Sequence, residues 1–186
     1  MVDTLIKNIR SISNFSADDI DFFISKLESF FIAKGQHFLM EGQICRHLAY
    51  VESGLAMYYR LYDGAEIPSD FAAENDWIGS LNSFANHTAS DINIKVLEDT
   101  NLLRLSAENF EKVYEYQPKF LLLKNYYTEL AFISHTRHTA DLAMLNAKQR
   151  YYKFMQENPD LINRVPQYHI AAYLGIKPQS LSRIRK

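Results

Sequence analysis

The stretch RVPQYHIAAYLGIKPQSLSRIRK at the C-terminal end constrains this chain more than any other, because Pro166, Gly175 and Pro178 cut it into two short segments. Proline cannot continue a helix but suits the entry to one, where its missing N–H would have no partner in any case. Behind Pro166, Ile170, Ala171 and Leu174 recur at helical spacing. Gly175 then stands where a helix commonly ends in a left-handed residue. Pro178 opens a second helix whose Leu181 and Ile184 face back toward Ile170 and Leu174, with Ile176 filling the corner. Ala171 is small enough to let the two helices cross closely, so the pattern predicts a helix-turn-helix.

The outward face of the second helix carries Gln179, Ser180, Ser182, Arg183 and Lys186, with Lys177 just before it. These side chains suit base edges and phosphates: Arg for guanine, Gln for adenine, Lys and Ser for the backbone. A plain helical hairpin with a solvated polar face has the same pattern, so the charge distribution has to decide. The whole chain holds 20 Lys+Arg and 22 Asp+Glu, which suggests no polyanionic partner. From Asn146 onward, however, there are 8 basic and 2 acidic residues, against 12 and 20 before it. A basic module joined to an acidic one is the footprint expected of nucleic-acid binding confined to one end.

At 186 residues the chain can bury one sizeable core and a small satellite. Hydrophobic content of 47% with 23% charged residues describes a globular protein. No apolar run approaches the ~20 residues of a membrane span, and the N-terminus lacks the apolar core of a signal peptide. The one cysteine, Cys45, excludes an internal disulfide and points to a reducing cytoplasm.

Between the ends the periodicity changes twice. Ser16 is a helix cap ahead of Ile20, Phe23, Ile24, Leu27, Phe30 and Phe31, which recur at helical intervals. From Gly35 to about Ser106 the runs HLAYVES, LAMYYRLY, INIKVLE and NLLRLS read as short strands separated by glycine turns, which implies a small barrel or sandwich. After Ala107 the helical period returns, and Pro118 leads into a long helix running to about Met144. Along it Leu123, Tyr126, Leu130, Ile133, Arg137, Ala140 and Met144 alternate spacings of three and four, a heptad seam interrupted by Arg137. A second stripe, Phe120, Tyr127 and Ala131, is placed to cover the barrel. A helix with two apolar faces needs two partners, here its own barrel and a second copy of itself; one broad core-facing stripe is the alternative.

This order of parts resembles the Crp/Fnr family of bacterial transcription regulators over nearly the whole chain. The resemblance rests on HLAYVESGLAMYYRLYDG, IKVLEDTNLLRLS and IAAYLGIKPQSLSRIRK. It implies an α+β fold with an N-terminal double-stranded β-roll of the cyclic-nucleotide-binding type (residues 1–117), a long central dimerisation helix (118–145) and a C-terminal winged helix-turn-helix (146–186). It implies double-stranded DNA, a homodimer partner and RNA polymerase as partners, with Gln179, Ser180 and Arg183 facing bases and Lys177 and Ser182 holding phosphates. Pro178 stands where some members place a base-reading arginine, and the chain stops soon after the recognition helix, which suggests an incomplete DNA-binding module.

The effector site departs from the family. Cyclic-nucleotide binders carry a Gly-Glu pair and, beyond a short helix, an Arg-Ser or Arg-Thr pair that neutralises the phosphate. Here the stretch is GSLNSFANHTASDI: Ser80 replaces the glutamate after Gly79, and Ser90 and Asp91 stand in place of the Arg-Ser pair, with Leu81 beginning the intervening helix. No Lys or Arg lies between Gly79 and Ile92, so a buried phosphate would lack a counter-charge and Asp91 would repel it. These residues form a degenerate nucleotide pocket for an unidentified small-molecule effector, not for cyclic AMP in the usual way.

Other chemistry is thin. His135 and His138 lie three apart on the long helix without an evident third metal ligand, and His37, Glu41 and His47 lack the paired spacing of a cupin metal site. Nothing resembles a catalytic triad, a phosphate loop or a Cys-x-x-Cys motif, so no enzyme, metal or cofactor is implied. The expectation is a DNA-binding transcription regulator whose roll shifts a population between two dimer states. The alternative is a signalling or scaffold module that binds a ligand or protein through the roll and docks by its basic C-terminus.

Overall fold

The computed structural model describes residues 2–185. In chain order the elements are α1 (Val2–Ile12), α2 (Ala17–Ser25), β1 (Glu28–Ile32), β2 (His37–Leu39), β3 (His47–Ser53), β4 (Ala56–Tyr62), β5 (Ala65–Ala72), β6 (Trp77–Ile78), α3 (Leu81–Asn86), β7 (Asn93–Val96), β8 (Thr100–Ser106) and α4 (Ala107–Tyr116). A single 3-10 turn, Pro118–Phe120, leads into α5 (Leu121–Met144), followed by α6 (Ala147–Glu157), α7 (Leu161–Arg164), α8 (Gln167–Tyr173) and α9 (Pro178–Ile184). Among the described residues no strand follows β8.

The strands form two antiparallel four-stranded sheets, ordered β1-β8-β3-β6 and β2-β7-β4-β5. Their inner faces enclose one core built on Ala49, Val51, Ala56, Ile78, Ile94, Val96 and Leu102. Alternation along β4 explains the layering: Ala56 and Tyr58 point into this core, while Met57 and Tyr59 point out of the roll into a second cluster. A third cluster lies outside the other sheet, where Leu5, Ile9, Ile20, Phe23, Phe120 and Leu123 cover Tyr50, Leu103 and Leu105.

Ser16 caps α2 as its sequence predicts, accepting from the Asp19 amide while the Asp19 carboxylate accepts from the Ser16 amide. The apolar repeat beyond it does not stay helical: α2 ends at Ser25, and Phe30 and Phe31 belong to β1. The Phe-Phe-Ile run has high strand propensity, and β8 offers it a full ladder, with Phe30 opposite Leu102 and Phe31 opposite Asn101. Tertiary pairing outweighs the local period there.

Candidate functional site

The C-terminal helices pack as the punctuation predicts. Gly175 adopts φ +64°, and its amide donates to the Ala172 carbonyl while the Ile176 amide donates to that of Ala171. This pair of bonds is the Schellman closure that glycine at this position permits. Ile170, Ala171, Leu174 and Leu181 are all buried in one cluster, with Ile176 and Ile184 against it. Lys177, Gln179, Ser180, Ser182 and Arg183 are all exposed, on one short helix and its entry. Lys186 lies outside the described residues.

The basic residues of this module divide into two kinds. Arg150 donates to the carbonyls of Leu145 and Leu174, tying α6 to the ends of α5 and α8. Lys153 pairs with Asp141 at 2.6 Å. Arg164 forms a clamp: its guanidinium donates to Glu74 at 2.8 Å, to Glu98 at 2.7 Å and to the Gly54 carbonyl at 3.0 Å. These three cations hold the module together or fasten it to the roll. Among the described residues, no ion pair or hydrogen bond engages the side chains of Lys177, Arg183 or Arg185. The charge available to an outside polyanion is therefore smaller than composition suggests, and apart from Lys148, which lies over the Tyr152 ring on α6, it is concentrated on and beside α9.

The Arg164 clamp is part of a wider seam. Leu55, Met57, Tyr59, Phe71 and Leu97 of the roll share one apolar cluster with Tyr151, Phe154, Leu161, Val165 and Ile170 of the C-terminal helices. Tyr173 lies 5.3 Å from Phe71 and stacks on His138 of α5 at 4.0 Å, between centroids. His169 is buried, its Nε2 3.6 Å from the Glu66 carboxylate, which itself pairs with Lys95. Burial keeps the His169 imidazole below its ordinary pKa. Hydrogen bonds from Arg164 hold Glu74 down at about 2. Gly54 makes the clamp possible, since at φ +113° a Cβ there would lie 2.3 Å from the Thr100 hydroxyl oxygen.

On its other side the roll faces α5 across a cleft of about 940 Å³. Gly79, Ser80, Leu81 and Asp91 line it, whereas Ser90 does not: it is buried, donating its hydroxyl to the Ile92 carbonyl and its amide to the Gln43 carbonyl. The donors that would meet an anion are largely spent. The Gly79 amide donates to the Tyr58 hydroxyl at 3.1 Å, and the Ser83 amide to the Ser80 hydroxyl at 3.4 Å. Arg60, the cation nearest the degenerate pair, is bound to Asp91 at 2.6 Å. Hydrogen bonding to Arg60 lowers the Asp91 pKa.

Sequence reasoning missed Asp70. Its carboxylate lies in the same cleft, accepts from the Phe71 amide through Oδ1, and stands 3.6 Å from His135 Nε2 through Oδ2. Desolvation raises its pKa to about 6. The available signal was Pro68, which has no N–H for a ladder and so marks a bulge within β5. The register confirms it: Tyr58 pairs with Asp70 and Tyr59 with Pro68, leaving Ser69 as the extra residue. The bulge reverses the parity of the strand. Glu66 and Phe71 therefore both face the C-terminal helices, while Asp70 and Ala72 face the interior of the roll.

Of the α5 seam, Leu123 is buried in the chain's own N-terminal core rather than free. Tyr126, Leu130, Ile133, Arg137, Ala140 and Met144 are exposed, Met144 to 81%. Phe120 and Tyr127, from the second stripe, pack toward the roll, with the Tyr127 ring 6.2 Å from Trp77. His135 and His138 turn to Asp70 and Tyr173 respectively, and among the described residues no cluster of metal-ligand type occurs.

Residues 30–117 match the family model of the cyclic nucleotide-binding domain. Beyond that domain the likeness extends to the long helix and the helix-turn-helix. The chain has the fold of the Crp/Fnr regulators. The c-di-GMP responsive global regulator CLP of Xanthomonas campestris shares 16% identity with it, covering 91% of this chain and 89% of that one with a TM-score of 0.75. FixK2 of Bradyrhizobium japonicum shares 17%, covering 86% and 82%, with a TM-score of 0.76. The catabolite activator protein of Thermus thermophilus shares 18%, covering 94% and 84%, with a TM-score of 0.59. No curated protein sequence matches the chain. Within the Crp/Fnr fold, the cleft lined by Gly79, Asp91 and Asp70 lies between roll and α5, and α9 is the second helix of the helix-turn-helix.

Proposed function

We propose that this chain is a cytoplasmic, homodimeric transcription regulator of Crp/Fnr type that binds double-stranded DNA through α9 and acts with RNA polymerase. The observation that carries this reading is the exposed face of α9, where Arg183 and Gln179 lie one helical turn apart beside Lys177, with Arg183 and Lys177 unpaired among the described residues. Side chains at that spacing can enter one major groove together. The exposed apolar residues of α5 supply the dimer seam, and two-fold symmetry offers the two recognition helices to successive grooves about one helical turn apart. Spent backbone donors and the Arg60–Asp91 pair support a cleft that does not take cyclic AMP in the usual way.

Selection from random DNA tests the reading. A palindromic site should emerge, and Arg183→Ala should cost about 1–3 kcal/mol and relax the preference at one base pair per half-site. Lost affinity with unaltered base preference would make Arg183 a phosphate contact and remove it from the reading face. Leu130→Glu with Ile133→Glu should give monomers by light scattering, because each would bring charge into a dry seam. An unchanged mass would remove α5 from the interface.

A further inference from the structure

The cleft between roll and α5 holds an incompletely bonded carboxylate at one end and half-buried aromatic rings at the other. We propose that this cleft, read above as the effector site, takes an elongated organic cation, with its protonated nitrogen on Asp70 and an aromatic or apolar body along α5 toward Tyr127 and Trp77.

Three observations converge on this ligand class. The first is the hydrogen-bond inventory of Asp70. Oδ1 accepts from the Phe71 amide, but Oδ2 accepts no hydrogen bond among the described residues, and His135 at 3.6 Å is beyond hydrogen-bond reach. The side chain is only 28% exposed, so this oxygen has lost much of its water without gaining a donor. A carboxylate held that way binds a ligand N–H strongly, since a charge-assisted bond is roughly twice a neutral one. The Pro68 bulge that aims Asp70 inward costs the strand a ladder bond, and such bulges gather next to binding sites.

The second observation is charge. The titratable lining sets Asp70, Asp76 and Asp91 against Arg60, Lys124 and the His135 imidazole 3.6 Å from Asp70, and Arg60 is consumed by Asp91. Lys124 stands over the Phe110 ring at 5.9 Å, at the far end of the helix from Asp70. Eleven residues of helix separate Lys124 from His135, about 16 Å of rise, so it cannot neutralise the Asp70 end. An anion entering there would meet a carboxylate and no guanidinium.

The third is the aromatic wall. Trp77, Tyr126 and Tyr127 line the same cleft, with Tyr127 at 6.2 Å from Trp77 and at 5.3 Å from Tyr126. Their rings attract cations and stack on flat bodies. Tyr127 and His135 are eight residues apart on α5, about 12 Å, and small Ala131 lies between them and leaves room. That distance sets the ligand's length.

Calorimetry with the full chain and three indole probes tests the proposal: tryptamine, its neutral isostere tryptophol and the anionic indole-3-propionate. Tryptamine should bind at least about tenfold tighter than tryptophol, equivalent to 1.4 kcal/mol, and indole-3-propionate and cyclic AMP should give no saturable heat. Asp70→Asn should erase the tryptamine preference, while Asp76→Asn, which removes an equal charge at the rim, should leave it. Equal binding of tryptamine and tryptophol, tighter binding of either anion, a preference that survives Asp70→Asn, or no tryptamine binding up to about 10 mM would each overturn the assignment. DNA selection on the same preparation separates the two readings. Site-specific DNA binding without tryptamine binding sinks the ligand class alone, and the reverse result sinks the regulator alone.

Discussion

The roll of this protein meets two helical partners, and it meets them differently. Its outer face toward the C-terminal helices is a closed seam: Met57, Tyr59 and Phe71 are buried against Phe154, Leu161 and Ile170, and the Arg164, Glu74 and Glu98 clamp and the Lys95–Glu66 pair close its edge. Its face toward α5 is an open cleft in which Asp70 is desolvated and incompletely bonded. Adjacent residues of one strand serve both, Phe71 in the seam and Asp70 in the cleft. A tightly packed, ion-paired interface carries a domain as a rigid body, whereas a desolvated and incompletely bonded carboxylate stores free energy for something to release. A ligand that completes Asp70 therefore acts one residue from the strand segment on which the C-terminal helices rest.

The seam should be where mutations cost most. Phe154→Ala removes a ring packed at 6.5 Å from Phe71 and 5.6 Å from Tyr173, both between centroids, and should cost about 3–5 kcal/mol in urea melts. Ser134→Ala, on the cleft wall, should stay within about 0.5 kcal/mol. A Phe154→Ala loss as small as the Ser134→Ala one would mean that the seam opens readily, and the contrast between the two faces would break.

Much of this arrangement was legible in the sequence, for reasons that also explain the gaps. The helix-turn-helix was legible because its signals are local: Pro166, Gly175 and Pro178 fix the backbone within a few residues, whatever the rest of the chain does. The strands β3, β4, β7 and β8 showed through their alternation. Phe30 and Phe31 were misplaced because their strand exists only by pairing with β8, some seventy residues away. Asp70 and Arg164 were invisible for a similar reason. Nothing near Arg164 in sequence announces Glu74 or Glu98, and the parity that turns Asp70 inward depends on a bulge set by Pro68 against β4. The apolar seam of α5 was readable, but Leu123 at its head is spent on the chain's own core.

A middle-sized effect should come from the clamp. The Arg164 side chain is 25% exposed and its partners 33% and 38%, so solvent screening reduces what a fully buried network would give. Arg164→Ala should cost about 1–2 kcal/mol and should loosen the C-terminal helices before the roll melts, seen as faster amide exchange in α6 to α8. The pH dependence follows from signs. Glu74 has a folded pKa of about 2, below its ordinary value of 4.5, so its contribution is present above 4.5 and is lost as pH falls toward 2. His169, also depressed, contributes above its ordinary 6.5 and loses that contribution as pH falls below it. Acid should thus open the seam in two stages, and Arg164→Ala should abolish only the lower one. Retention of both stages would mean that the clamp does not govern Glu74.

The cleft should answer pH in the opposite sense, and with the smallest change. Asp70 has its folded pKa raised to about 6 from 3.8, so between those values the native state holds a proton that the unfolded chain has released. Stability from this group is therefore present at low pH and is lost as pH rises through about 6. The carboxyl is partly exposed and His135 stands nearby, so the penalty at pH 7 should be only about 1 kcal/mol, well short of the two-unit shift taken at face value. Asp70→Asn removes the ionisation and should raise the melting temperature at pH 7 by about 2–4 °C. At pH 3, below both values, the group is protonated in the native and the unfolded chain alike and the two should melt alike. A gain of the same size at both pH values would show that the effect is not ionisation but packing or hydrogen bonding. In that case the cleft stores no charge strain, and the two faces of the roll would differ in shape alone.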